Sequence, residues 1–231
     1  MDYRPSNYSL VPPVVKNLLI INGLFFIAKW FFASRGLALE GYLGMYYFDS
    51  PYFKPYQIIT HMFMHGDLMH IFFNMFAVWM FGSKLEMVWG PKRFLFFYFI
   101  TGLGAALMHQ AWNGFEVYQA IGSLTPYSND MNITTEVERI LYTPVVGASG
   151  ALFGVLGGFA MLFPNTELML IFFPVPIKAK YFVAIYGIIE LWTGIANNPG
   201  DNMAHFAHLG GLIVGLLLVY YWNKNNRESF Y

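Results

Sequence analysis

The sequence predicts an all-α, polytopic membrane protein with six spans, on three observations. Hydrophobic residues fill 57 % of the 231 positions, aromatic residues 20 % and charged residues only 11 %, too little polar surface for a soluble domain of this size. The apolar residues gather into six segments, near 14–32, 68–88, 93–112, 148–163, 179–195 and 203–222, where roughly 20 apolar residues cross a hydrocarbon core of about 30 Å. Basic residues are dense in alternate connections, as in a multi-pass protein.

Taken in order, residues 1–13 form a polar, proline-bearing segment without the cleavage pattern of a removable signal peptide, so the first span is expected to direct insertion. Residues 14–222 read as one six-span domain and 223–231 as a tail. Gly66-Asp67 interrupts the chain before the second span, and Asp67 can cap a helix starting at Leu68. His70 and Asn74, four residues apart, then share one helical face. The third connection, about 113–146, is long and polar, carries Glu136 and Glu138, and reads as an outer loop without chemistry. Span four runs from Ala148 to Phe163 before Pro164-Asn165, which reaches only about 24 Å at the helical rise. Span five contains Glu190, a carboxylate that is costly in a membrane unless it faces a cavity or its mouth. Span six carries His205 and His208 near its start.

Nine basic residues (Arg4, Lys16, Lys84, Lys92, Arg93, Lys178, Lys180, Lys224 and Arg227) lie at the termini and in the second and fourth connections. Three (Arg35, Lys54 and Arg139) lie in the others, and Lys29 falls inside the first span. Both termini are therefore expected in the cytoplasm, with the Ser149 end of span four on the outer side. Rise-per-residue arithmetic then sinks Ser149 about 6 Å, His208 about 7.5 Å and Asn74 about 9 Å below the outer boundary, with His70 nearer the surface. Polar side chains at such depth are expensive outside a protein interior or water cavity, which makes all four functional candidates.

These residue types suit acyl chemistry. A serine hydroxyl becomes nucleophilic when a neutral histidine takes its proton, and Ser149 with His208 can form that pair. The Asn74 amide, the His70 ring and the backbone N–H of Ser149 at a helix N-terminus can stabilise an oxyanion. Gly147 and Gly150 let a substrate backbone approach. Gly150, Gly154 and Gly158 in span four, with Gly211 and Gly215 in span six, fit close helix packing that would bring Ser149 and His208 together.

Three motifs in order carry a family resemblance: His61-Met62-Phe63-Met64-His65 with His70-Ile71-Phe72-Phe73-Asn74, then Gly147-Ala148-Ser149-Gly150, then Ala207-His208-Leu209-Gly210-Gly211. The chain resembles a rhomboid-family intramembrane serine protease over about 14–222. That resemblance implies a six-transmembrane-helix bundle around a water-filled cavity, with Ser149 as nucleophile, His208 as general base and acid, and His70 and Asn74 as the oxyanion-stabilising pair. It implies a Ser-His dyad without a carboxylate, which agrees with the lack of Asp or Glu beside Ser149 or within four residues of His208. Phe73 matches a position on the family's lateral substrate gate, or is a lipid-facing or packing phenylalanine. The Trp-Arg pair common in the family's first loop is here Tyr56-Gln57, a departure that bears on that loop's contacts. His61 and His65 match positions that organise the first loop, and His205 competes with His208 as base, the Ala-His-Leu-Gly-Gly context favouring His208. His109 is read as an interfacial side chain and Glu86 as a packing or hydrogen-bonding residue.

The implied activity is cleavage in or near a transmembrane segment of a membrane-anchored protein, reached from the lipid bilayer, with no nucleic acid involved and oligomeric state left open. The compact six-span form suggests a bacterial cytoplasmic (inner) membrane. No cysteine is present to form a disulfide, a thiolate metal site or a thiol nucleophile. The spacing of His61 and His65 can bind metal, but the chain has six histidines, no adjacent pair and no His-Glu-x-x-His, so neither metal nor other cofactor is expected. A transporter would call for paired broken spans, which are absent. The remaining alternative is a catalytically inactive rhomboid-like protein that binds membrane clients.

Overall fold

The computed structural model describes residues 11–129, 131–170, 173–196 and 203–225. The N-terminal segment and the tail, with Arg4 and Arg227, lie largely outside them. Among the described residues five helices are long and apolar enough to cross a membrane: α1 (Pro13–Ala33), α2 (Leu68–Trp89), α3 (Pro91–Ile121), and, beyond a short α4 (Thr135–Tyr142) and α5 (Ser149–Leu162), α6 (Ala179–Ala196) and α7 (His205–Asn225). The α5 helix has 14 residues and falls below that length, where the sequence reading ran it from Ala148 to Phe163. An antiparallel hairpin that the hydropathy pattern did not foretell, β1 (Glu167–Leu170) and β2 (Phe173–Lys178), links α5 to α6 and pairs Glu167 with Lys178.

Helix ends follow local chemistry. Pro13 opens α1, where a missing N–H costs nothing. The next two amides, of Val14 and Val15, donate to the Glu86 carboxylate at 2.9 and 2.8 Å, so a residue of α2 caps α1. The expected cap of α2 is present: Asp67 Oδ1 accepts from the His70 amide at 2.9 Å. A π turn over Val78–Gly82 interrupts α2. Gly90, at φ 78°, and Pro91 reverse the chain into α3, which runs nine residues past the predicted end of the third span to stop at Gly122 in the left-handed conformation.

The centre of the bundle is α5, buried on all sides from Gly150 through Ala160. Glycines let its neighbours approach, as the spacing predicted: a methyl group on Gly211 would overlap the Gly150 carbonyl, and one on Gly215 would sit 2.7 Å from the Gly154 oxygen. Gly154 is in turn closed over by Thr101 of α3. The lower core is aromatic, with Trp89, Phe97 and Trp222 in mutual ring contact. Outward, α1 and α6 present Leu24, Ile27, Ile188 and Trp192, exposed apolar side chains that suit lipid contact.

The first loop is stitched to the rest by its polar residues. The buried Gln57 amide donates to the Tyr42 and Tyr52 carbonyls and accepts from the Lys54 amide. Lys29, toward the C-terminal end of α1, donates to the His65 and Gly66 carbonyls and pairs with Glu40. The third connection is ordered by α4, whose Val137, Ile140 and Leu141 pack with Tyr47 and Val117.

Candidate active site

Ser149 is the first residue of α5 and His208 lies in the first turn of α7, so the glycine-mediated packing of these helices sets their separation. The Ser149 hydroxyl oxygen lies 2.8 Å from Nε2 of His208, a hydrogen bond across 59 residues of sequence. Phe153, one turn below Ser149, stacks on the His208 ring at 4.3 Å between centroids and 5° between planes, which fixes the imidazole plane.

The other ring nitrogen has a partner that distance in sequence hides. No Asp or Glu lies beside Ser149 or within four residues of His208 along the chain, but α6 packs beside α7 and brings a carboxylate to His208. Glu190 Oε2 lies 2.9 Å from Nδ1 of His208 and 2.7 Å from Nδ1 of His205. All three residues are buried, with Glu190 2 % exposed. Their polar atoms lie within 4.8 Å of one another, a grouping that could hold a metal ion. His205 is turned toward Glu190 and Thr193, and His208 alone of the two bonds Ser149.

On the opposite side of Ser149 stand the α2 residues. Gly66 N–H donates to Nδ1 of His70 at 3.4 Å, which leaves Nε2 as the protonated nitrogen. That Nε2 faces Gly147, where an added Cβ would lie 2.9 Å from it and 3.5 Å from Ser149 Oγ. Gly147 has φ 136°, a conformation that favours glycine, and its N–H donates to the His61 carbonyl at 2.9 Å. Asn74 is 5 % exposed, and its Nδ2 has no hydrogen-bond partner among the described residues. A buried donor left open on the wall of the cavity that Ser149 lines is the kind of exception that calls for an explanation. Ser149, His208, His70, Asn74 and Phe73 all line one cavity of about 1270 Å³. The cavity extends between α2 and α6, bounded there by Phe73, Phe76, Phe182 and Tyr186, and Phe73 is 41 % exposed.

The rings of His61 and His65 make no hydrogen bond to Ser149, His208, His70 or Asn74 among the described residues. His61 Nδ1 lies 2.8 Å from the Gln57 carbonyl, and His65 packs edge-on to His70 at 5.0 Å between centroids. Burial holds His61 down to about 4, outweighing hydrogen bonds to the Gln57 and Ile58 backbone that act in the opposite direction. Burial, with the neighbouring His70, holds His65 down to about 3.

A match to the Rhomboid domain spans residues 52–225, three quarters of the chain. This chain belongs to the rhomboid family. It is 33 % identical over 169 residues to "Rhomboid protein 1, mitochondrial" of Saccharomyces cerevisiae, an alignment covering 72 % of this chain and 42 % of the yeast protein. It is 26 % identical over 165 residues to "Rhomboid protease AarA" of Providencia stuartii, covering 68 % and 52 % respectively. It is also 27 % identical over 176 residues to the mouse "Presenilin-associated rhomboid-like protein, mitochondrial", covering 72 % and 38 %. The rhomboid chain thus spans about half or less of the length of these relatives. Two of these relatives are named as mitochondrial, so the expectation of a bacterial inner membrane is not supported.

Two residues of the site escaped sequence reasoning. Phe153 carries a signal in retrospect, since it lies four residues from Ser149 on the same helical face. Glu190 was noted for its cost in a membrane, but nothing local to it tells which residue it faces.

Proposed function

We propose that this rhomboid is an intramembrane serine endopeptidase that cuts a peptide bond in or near the transmembrane segment of a membrane-anchored protein. The carrying observation is the 2.8 Å contact from the Ser149 hydroxyl to His208 Nε2 at the wall of a cavity. An inactive client-binding rhomboid has no need for an aligned nucleophile and base. Residues 14–222 would form the catalytic domain. The short α5 would be a sixth crossing, and the nine-to-three distribution of basic residues supports cytoplasmic termini.

In this mechanism Ser149 Oγ attacks the scissile carbonyl carbon while its proton moves to His208 Nε2 and the carbonyl π pair moves onto oxygen. The oxyanion meets Nε2–H of His70 and Nδ2–H of Asn74, donors already held in place before reaction. Collapse breaks the C–N bond as His208 passes its proton to the leaving amine. Water then attacks the acyl carbon as it gives a proton to His208, and the carbonyl C–Oγ bond breaks as His208 returns that proton to Ser149, releasing the acid. A substrate helix must unwind first, because its carbonyls are hydrogen-bonded and shielded, and the cavity between α2 and α6, with Phe73 at its edge, supports lateral entry.

The test is cleavage of a single-span reporter by purified protein in lipid, wild type against Ser149→Ala, with melting curves to establish that both are folded. Cleavage by the wild type alone is expected. Equal cleavage by the variant would end the serine-protease reading, and a folded wild type that cleaves no reporter and takes no fluorophosphonate at Ser149 would favour the client-binding alternative.

A further inference from the structure

Glu190 is the buried ionisable group that a two-residue mechanism leaves unused. We infer, building on the protease reading above, that Glu190 is a positioning residue whose carboxylate accepts Nδ1–H of His208 and completes a Ser149–His208–Glu190 triad, with His205 holding the same carboxylate in place. A neutral imidazole has two tautomers, and only the one with a bare Nε2 can take the serine proton. An ionised carboxylate only accepts hydrogen bonds, so the 2.9 Å contact with Oε2 puts the proton on Nδ1 and leaves Nε2 for Ser149. Phe153 fixes the ring plane, while Glu190 decides which nitrogen bears hydrogen.

The same contact serves the reaction itself. Proton transfer from Ser149 places a positive charge on His208 inside a helix bundle, where separated charge is poorly screened. A carboxylate already beside Nδ1 offsets that charge without moving, and the Nδ1 proton stays where it is throughout. His205 explains why Glu190 tolerates burial. Its Nδ1 donates to the same Oε2 at 2.7 Å, and Thr193 Oγ lies 3.1 Å from that nitrogen. A buried charge with two donors is held in one place. Packing alone does not account for a carboxylate oxygen aimed at two imidazoles, because an apolar side chain of similar size would fill the space without desolvating a charge.

The experiment uses the full chain in lipid nanodiscs with 15N-labelled histidine, the His208 signals being assigned by their loss in His208→Ala. In the wild type, His208 is expected as the tautomer protonated on Nδ1. In Glu190→Gln, whose amide can donate to Nδ1, the Nε2–H form is expected to appear. Reporter kcat should fall by ~10²–10⁴ with KM little changed, and Glu190→Asp should recover part of the loss. A purely structural Glu190 would lower the melting temperature without moving the tautomer. The proposal is overturned by an Nε2–H tautomer in the wild type, or by a folded Glu190→Gln with unchanged tautomer and unchanged kcat. Should Glu190→Gln not fold, the wild-type tautomer and Glu190→Asp decide the question. A wild-type rate in Glu190→Gln beside a dead Ser149→Ala removes only the triad, whereas an active Ser149→Ala removes the protease reading itself.

Discussion

Two pairs of buried histidines sit in this molecule at nearly the same spacing, and their partners separate them. His61 and His65 are four residues apart in the first loop, and His205 and His208 three apart at the head of α7. The first pair meets a backbone carbonyl and another imidazole, with no carboxylate within bonding distance among the described residues, and burial keeps both rings neutral. The second pair shares Glu190, and one member reaches a hydroxyl at 2.8 Å. A histidine in a membrane protein is therefore informative through what lies across from it. The spacing along the helix is common to both pairs.

The largest test of that contrast exchanges one residue in each pair for alanine. His208→Ala should abolish reporter cleavage and fluorophosphonate labelling of Ser149, because the hydroxyl loses its proton acceptor. His61→Ala should keep the labelling and show its cost in thermal stability, about 1–3 kcal/mol for a lost buried hydrogen bond. Loss of labelling in folded His61→Ala would erase the distinction. Next in size is Asn74→Ala, which removes one oxyanion donor and should lower kcat by ~10²–10³ while the melting temperature holds or rises, since the buried amide has no partner to lose. Unchanged turnover in folded Asn74→Ala would take this residue out of the mechanism.

Much of this site is legible in the sequence. The cap at Asp67, the shared face of His70 and Asn74 and the glycine seams of α5 and α7 all follow from rise, spacing and side-chain size. These are properties of single helices. What the sequence left open concerns pairs of helices: α6 turns Glu190 toward α7, and Glu86 of α2 caps α1 across 72 residues. The β1–β2 hairpin was illegible for another reason, because Pro174 and Pro176 mask the strand pattern and the hydropathy reading looked only for spans.

A smaller effect separates the pairs by pH. His61 and His65 have folded values of about 4 and about 3, below the 6.5 of an unfolded histidine, so the unfolded chain binds more protons between those limits. Their contribution to stability is complete above pH 6.5 and is lost as pH falls toward 4 and 3, at roughly 1.4 kcal/mol per unit for each group. Melting temperature should drop across that window, and the slope should lessen in His61→Gln and in His65→Gln. A melting temperature that does not change between pH 6.5 and 4 would mean that the first-loop histidines are solvated and titrate freely.

The smallest expected effect is that of a chelator. Glu190, His205 and His208 bring three ligand atoms within 4.8 Å, the pattern of a two-histidine, one-carboxylate metal site. Yet the carboxylate oxygen already meets both ring nitrogens at 2.7 and 2.9 Å, distances that belong to direct hydrogen bonds. A metal would take the lone pair of His208 Nδ1 and displace the proton that the triad keeps there. Reporter cleavage should therefore be unchanged by EDTA, and zinc should inhibit if it enters. Activity lost to EDTA and restored by zinc would make the second histidine pair a metal centre, and the contrast between the two pairs would become one of ligation.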